Sequence, residues 1–167
     1  MDTQTGSTGV TTLGSNAIGS DAIEILLNDH RAVKGILDQL PEAIGPQREE
    51  LMERLKGLLT IHNASEENLV YPAIRELAKR PMHAGQLYHQ QDEAKVVVWE
   101  LDMMGPADPE FSDKATKLRE AVLAHVRQEE ESEFPHLREA LDPEQMEELT
   151  DSLREFRSSF TFSPRKP

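Results

Sequence analysis

Two stretches of this sequence offer the same nitrogen and oxygen donors in the same order. The first reads His62-Asn-Ala-Ser-Glu66-Glu67, followed by Tyr71-Pro72 and Arg75-Glu76. The second reads His125-Val-Arg-Gln-Glu129-Glu130, followed by Phe134-Pro135 and Arg138-Glu139. Histidine, both glutamates, the aromatic–proline pair and the Arg-Glu pair fall at identical offsets. Imidazole and carboxylate together suit iron or manganese. A lone His-x-x-x-Glu carries little weight in a chain with 31 acids among 167 residues. Two copies with matching flanks carry much more.

On a helix, residues four apart lie one turn apart on the same face. His62 and Glu66 share theirs with Leu55, Leu58, Leu59 and Leu69; His125 and Glu129 share theirs with Leu118, Ala121 and Val122. Both pairs therefore point at a core. A buried carboxylate without a partner is costly, so such a set must neutralise itself or bind cations. A metal-free, hydrogen-bonded His–Glu network is the bland alternative. Two further histidines are expected to face inward. His30 follows Ile23, Leu26 and Leu27 at helical spacings, and His89 precedes Glu93, Val96 and Val97. Lys34 takes the place one turn after His30, and its ammonium is expected at the bundle edge. His83 and His136 fit no such face and read as surface or packing residues. Tyr71, nine residues after His62, falls on the opposite face of an ideal helix and reads as packing. A kink at Pro72 could rotate it back, and a phenolate would suit ferric iron. Tyr88 reads as surface packing.

The elements that must position these groups are helices. Sparse aromatics and abundant Leu, Ala, Glu and Arg disfavour a sheet-rich fold. Ser20 or Asp21 can cap a first helix that Pro41 ends; the second is expected from about Gln47 to Lys79, kinked at Pro72. A third runs from Pro81 to Met104. Asp108-Pro109-Glu110 and Asp142-Pro143-Glu144 start a fourth, kinked at Pro135, and a fifth reaching Phe160. The expected fold is all-α: an up-down-up-down antiparallel four-helix bundle with an additional C-terminal fifth helix. The chain divides into a flexible arm over 1–20, the bundle over 21–141, the fifth helix over 142–160 and a tail over 161–167.

Composition narrows the chemistry. With no cysteine, thiolate zinc sites, iron–sulfur clusters and disulfides are excluded. A net charge of −13 repels phosphate backbones and anionic lipid, so nucleic-acid and membrane partners are not expected. No apolar run approaches the roughly 20 residues a membrane span needs. The first twenty residues lack Lys, Arg and an apolar stretch, unlike a secretory signal; the expected location is cytoplasmic. Ferritin-like Glu-x-x-His pairs occur once, at Glu133 to His136, broken by Pro135. His-Glu-x-x-His, as in zinc hydrolases, is absent.

The order His30, His62-x-x-x-Glu66, His89, His125-x-x-x-Glu129 resembles the hemerythrin-like, HHE cation-binding family over roughly residues 20 to 141. That resemblance implies two iron ions (Fe2+/Fe3+), oxo- or hydroxo-bridged. His30 and His62 would hold one, His89 and His125 the other, and Glu66 and Glu129 would bridge them. The chain departs from the oxygen carriers in having Glu93 one turn after His89, and in placing Glu129 four residues after His125. A carboxylate at Glu93 would add negative charge and favour Fe(III) over Fe(II). The expectation is reaction with O2 or peroxide, including catalase-like H2O2 decomposition. The alternative is a non-enzymatic module that binds or senses iron, O2 or nitric oxide.

Overall fold

The computed structural model of the chain describes residues 20–105 and 107–160. The expected arm, except Ser20, and the tail over 161–167 lie outside these. Every regular element among the described residues is helical.

Asp21 caps α1 (Ala22–Leu37), its side chain accepting from the Glu24 N–H at 2.9 Å. A 3-10 turn, Leu40–Glu42, holds Pro41 and leads to α2 (Gly45–Ser65), which has Pro46 in its first turn. Gly45 opens α2 at φ +54°, a conformation that favours glycine. The second helix expected from about Gln47 to Lys79 with a kink at Pro72 is three pieces: α2, a π-helical turn over Glu66–Val70, and α3 (Tyr71–Glu76). Lys79, at φ +57°, ends this rod before Pro81 starts α4 (Pro81–Met103). The next rod repeats the design with α5 (Phe111–Gln128), a π turn over Glu129–Glu133, and α6 (Phe134–Ala140). It begins slightly later than its Asp108 start signal. Asp142 and Gln145 form a reciprocal capping box at the head of α7 (Pro143–Ser158).

The two π turns have one cause. Pro72 and Pro135 lack an N–H, so the helix cannot keep its ordinary ladder there. The backbone widens just upstream, and the Tyr71 and Phe134 N–H groups reach back five residues to the Glu66 and Glu129 carbonyls. Absorbing one extra residue shifts every later side chain by about 100°. Tyr71, opposite His62 on an ideal helix, is thereby turned inward and fully buried. This corrects the expected kink: the register changes rather than the direction alone.

The four long rods pack in the ring order α1, α2, α4, α5. One apolar cluster joins late α1 (Val33, Leu37) to early α2 (Leu51, Leu55), Leu101 of α4 and Leu118 of α5. A second joins early α1 (Ile23, Leu26) to α3 (Ile74), Leu87 of α4 and Leu137 of α6. The polar site lies in the layer between them. α7 packs on α1 and α2, burying Leu153 beside Ala22 and Ile25, while Thr150 Oγ1 accepts from the Ala22 N–H at 2.9 Å.

Candidate metal centre

From that middle layer, His30 of α1, His62 of α2, and Glu66 and Glu129 of the two π turns bring one donor atom each to within 4.8 Å of one another, all buried. His62 Nε2 lies 3.2 Å from Glu66 Oε2, and His30 Nε2 lies 3.2 Å from Glu129 Oε2. The His30 and His62 rings meet edge to face at 4.9 Å. His125 of α5 joins the same layer, its Nε2 3.3 Å from Glu129 Oε1.

Each of these imidazoles is held from behind. His30 Nδ1 meets Glu130 Oε1 at 3.0 Å, and Lys34 Nζ anchors that carboxylate at 3.1 Å. His62 Nδ1 meets Asp29 Oδ2 at 3.3 Å, and Asp29 is gripped through both oxygens by Arg157 of α7, at 2.7 and 3.0 Å. His125 Nδ1 meets the Gln90 amide oxygen at 2.8 Å. An acceptor at Nδ1 keeps a proton on that nitrogen, so Nε2 is the atom aimed at the centre and the one that can ligate when it carries no proton, the orientation that outer partners give metal-ligating histidines.

Tyr71 occupies the heart of the layer. Its hydroxyl lies 2.8 Å from Glu129 Oε1, 3.1 Å from Glu66 Oε2 and 3.3 Å from His125 Nε2. Gln91 Nε2 donates to the phenol oxygen at 2.7 Å and to Glu66 Oε2 at 2.5 Å. Tyr88 stacks edge-on against the Tyr71 ring at 4.9 Å.

The electrostatics follow the surroundings. Burial opposes charge on His62, but Glu66 and Asp29 outweigh it and push its pKa up to about 10. Burial lowers that of His125, aided by His62 and His30 and opposed by Glu129. Burial and the two carboxylates hold the Tyr71 phenol well above its ordinary range.

Three inner atoms, His30 Nε2, Glu66 Oε1 and Glu129 Oε2, are buried without a hydrogen-bond partner. His30 Nε2 and Glu129 Oε2 are close but not aligned for an N–H···O bond. Unsatisfied lone pairs on nitrogen and oxygen at one buried point are what a cation satisfies. The donor set fits a metal with mixed imidazole and carboxylate ligation.

The structure corrects the expectation for helix three. His89 and Glu93 are on the surface, with side chains 74% and 68% exposed, and lie 3.5 Å from each other. The inward face of α4 runs Ala84, Leu87, Gln91, Ala94, Val98 and Leu101, at spacings of three and four. His89 lies about 200° around the helix from Gln91. That spacing was present in the sequence; Val96, used to align His89, is 57% exposed. His83 is surface-facing, bonded to Glu133 at 2.8 Å, and His136 is exposed. Sequence reasoning missed Gln91, Gln90, Asp29 and Arg157 outright. Glu130, a repeat position, was visible but had no assigned part.

Fold and site together define a class: helical bundles whose interior carries a His/Glu cluster able to hold a metal. The profile of the hemerythrin HHE cation binding domain matches residues 21–137, and the chain belongs to that family. A relative from Nostoc named DNA nickase is 29% identical over 148 residues, covering 88% of this chain and 42% of the relative. The chain thus spans less than half of that protein. A crystal structure of a hemerythrin HHE cation binding domain-containing protein from Mycobacterium kansasii superposes with a TM-score of 0.70. It is 24% identical, covers 84% of this chain and 89% of that one, and shows the shared fold. No helix among the described residues is long and apolar enough to cross a membrane.

Proposed function

We propose that this chain is a non-heme di-iron protein, built on an up-down-up-down bundle, that reacts with O2 or peroxide. Catalase-like decomposition of H2O2 is the activity we assign. The observation that carries this reading is the convergence of partnerless buried donors from His30, Glu66 and Glu129. Ligation would come from His30, His62 and His125 through Nε2 and from the carboxylates of Glu66 and Glu129. Tyr71 stands in for the helix-three donors expected at His89 and Glu93, its phenol touching both carboxylates. When bound, an iron pair supplies the two-electron change that peroxide disproportionation needs. The chain's own contribution is orientation: Glu130, Asp29 and Gln90 fix the three rings, and Gln91 fixes the phenol. Tyr71 holds its proton against two carboxylates until a cation competes for the oxygen.

Elemental analysis of protein expressed with ample iron should find two irons per chain, with steady H2O2 consumption. His62→Ala and His125→Ala should each lose metal and lower the melting temperature, because metal binding contributes to folding. His89→Ala should do neither. Equal effects from all three overturn the ligand set, and uptake of O2 or nitric oxide without turnover assigns a sensor instead.

The name of the Nostoc relative favours a second reading, in which the same metal centre serves DNA strand cleavage. The net charge of −13 weighs against a DNA partner. Nicking of supercoiled plasmid by the metal-loaded chain, abolished in His62→Ala, would establish it.

A further inference from the structure

The second rod meets α4 chiefly through α3, and where α2 stands off from α4 there lies a cavity of about 410 Å³. Its inner end is formed by His30, His62, His125 and Gln91. Its walls are apolar, with Leu59, Ala94, Val98 and Val122 among them. A water occupies roughly 30 Å³ of liquid, and O2 or H2O2 is of similar size, so the space exceeds those molecules about tenfold. It falls inside the roughly 300–1,000 Å³ range of small-molecule sites.

The four charged side chains that line the cavity, Lys56, Glu67, Lys95 and Asp102, sum to zero and are all paired. Lys56 bridges to Asp102 across the gap at 2.7 Å and to Glu53 on its own helix at 2.6 Å; Lys95 is paired with Glu67 across the gap and with Asp92. Deep inside, beyond the three partnerless atoms assigned above to the metal, one further polar atom is left over among the described residues. Gln91 is 2% exposed, and its Nε2 is committed to Tyr71 and Glu66, which turns Oε1 away from them. Oε1 has no hydrogen-bond partner. A buried amide oxygen in an apolar-walled cavity asks for an O–H donor on an uncharged molecule.

We propose that this cavity binds an uncharged organic molecule with an apolar body and one terminal hydroxyl or hydroperoxyl group, whose O–H donates to Gln91 Oε1. Combined with the peroxide reading, on which only this consequence rests, the site admits organic hydroperoxides as well as H2O2.

Trp99, the chain's single tryptophan, lies at the mouth and reports occupancy by its fluorescence. Titrating the protein as purified with cumyl alcohol should give a saturable change in Trp99 emission at one molecule per chain. tert-Butylbenzene, which has a methyl in place of the hydroxyl, should bind about tenfold more weakly, because Gln91 Oε1 stays unpaired. Ala94→Phe should abolish binding, and Val98→Phe is the second filling variant should the first not fold, as judged by circular dichroism. Absence of saturation, equal binding of the two probes, or folded filling variants that bind like the parent would overturn the inference. Iron is counted on the same samples. Iron without probe binding sinks this inference alone; probe binding without iron sinks the iron reading and leaves the cavity assigned.

Discussion

In the first copy of the repeat, the π turn at Glu66 swings Tyr71 inward until its hydroxyl lies between Glu66 and Glu129. In the second, the turn at Glu129 swings Phe134 inward to stack on the His30 ring, with centroids 5.7 Å apart and planes 9° apart. The backbone device is duplicated, yet a single hydroxyl makes one copy a donor and the other a wall. The histidines diverge too. His62, beside Glu66 and backed by the Asp29 carboxylate, is pushed up to about 10, whereas burial holds down His125, whose outer partner is the neutral Gln90 amide. The repeat sets the inner carboxylates and the register. The difference between its halves is imposed by other helices: Asp29 from α1, Gln90 and Gln91 from α4, Arg157 from α7.

The largest effect should come from removing that outside influence on the first copy. Asp29→Asn and Arg157→Ala should each weaken metal binding by roughly 10–100-fold, measured by competition with a chelator, since outer partners of ligating histidines are worth about that much. Gln90→Ala, acting on the second copy through a neutral bond, should cost less. If Gln90→Ala costs as much as Asp29→Asn, the asymmetry has no energetic content.

Tyr71→Phe makes the copies alike. The metal-free protein should fold but melt a few degrees lower, a loss of roughly 1–3 kcal/mol from carboxylates left less satisfied. The iron-loaded protein should lose any phenolate-to-iron absorption in the visible. An unchanged visible spectrum beside unchanged melting would remove Tyr71 from the centre.

The smallest effect concerns Glu133, which closes the second π turn and has no counterpart at the matching first-copy position, Val70. Burial pushes its pKa up, but Arg80, His83 and Ser132 outweigh this and hold it below the ordinary 4.5. A lowered folded-state pKa stabilises above the ordinary value, and that contribution is lost as pH falls through the folded one. Between roughly pH 5 and pH 3 the parent should lose stability that Glu133→Gln does not. Parallel curves for the two would show that the Arg80 pairing adds nothing to the folded state.

The readable part of this molecule was whatever local periodicity and repetition encode. Five helical stretches, the Asp142 start and the inward places of His30, His62, Glu66, His125 and Glu129 follow from spacings within single helices. The sequence leaves Tyr71 open between packing and a place turned inward by Pro72, because counting at 3.6 residues per turn fails across a widened turn. Two registers compete in α4, one through His89, Val96 and Val97 and one through Leu87, Ala94 and Leu101, and the more continuous apolar spacing is the one that packs. Asp29 and Arg157 are 128 positions apart. No local pattern links them; only the packing of α7 does.

That last contact has a practical consequence. The family match stops at residue 137, before α7 begins at Pro143. An expression fragment trimmed to the matched span would keep every proposed ligand yet leave Asp29 without its guanidinium and Ala22, Ile25 and the Ser65 side of α2 open to water. Work on such a fragment would describe a weaker, wetter centre than the one the whole chain builds.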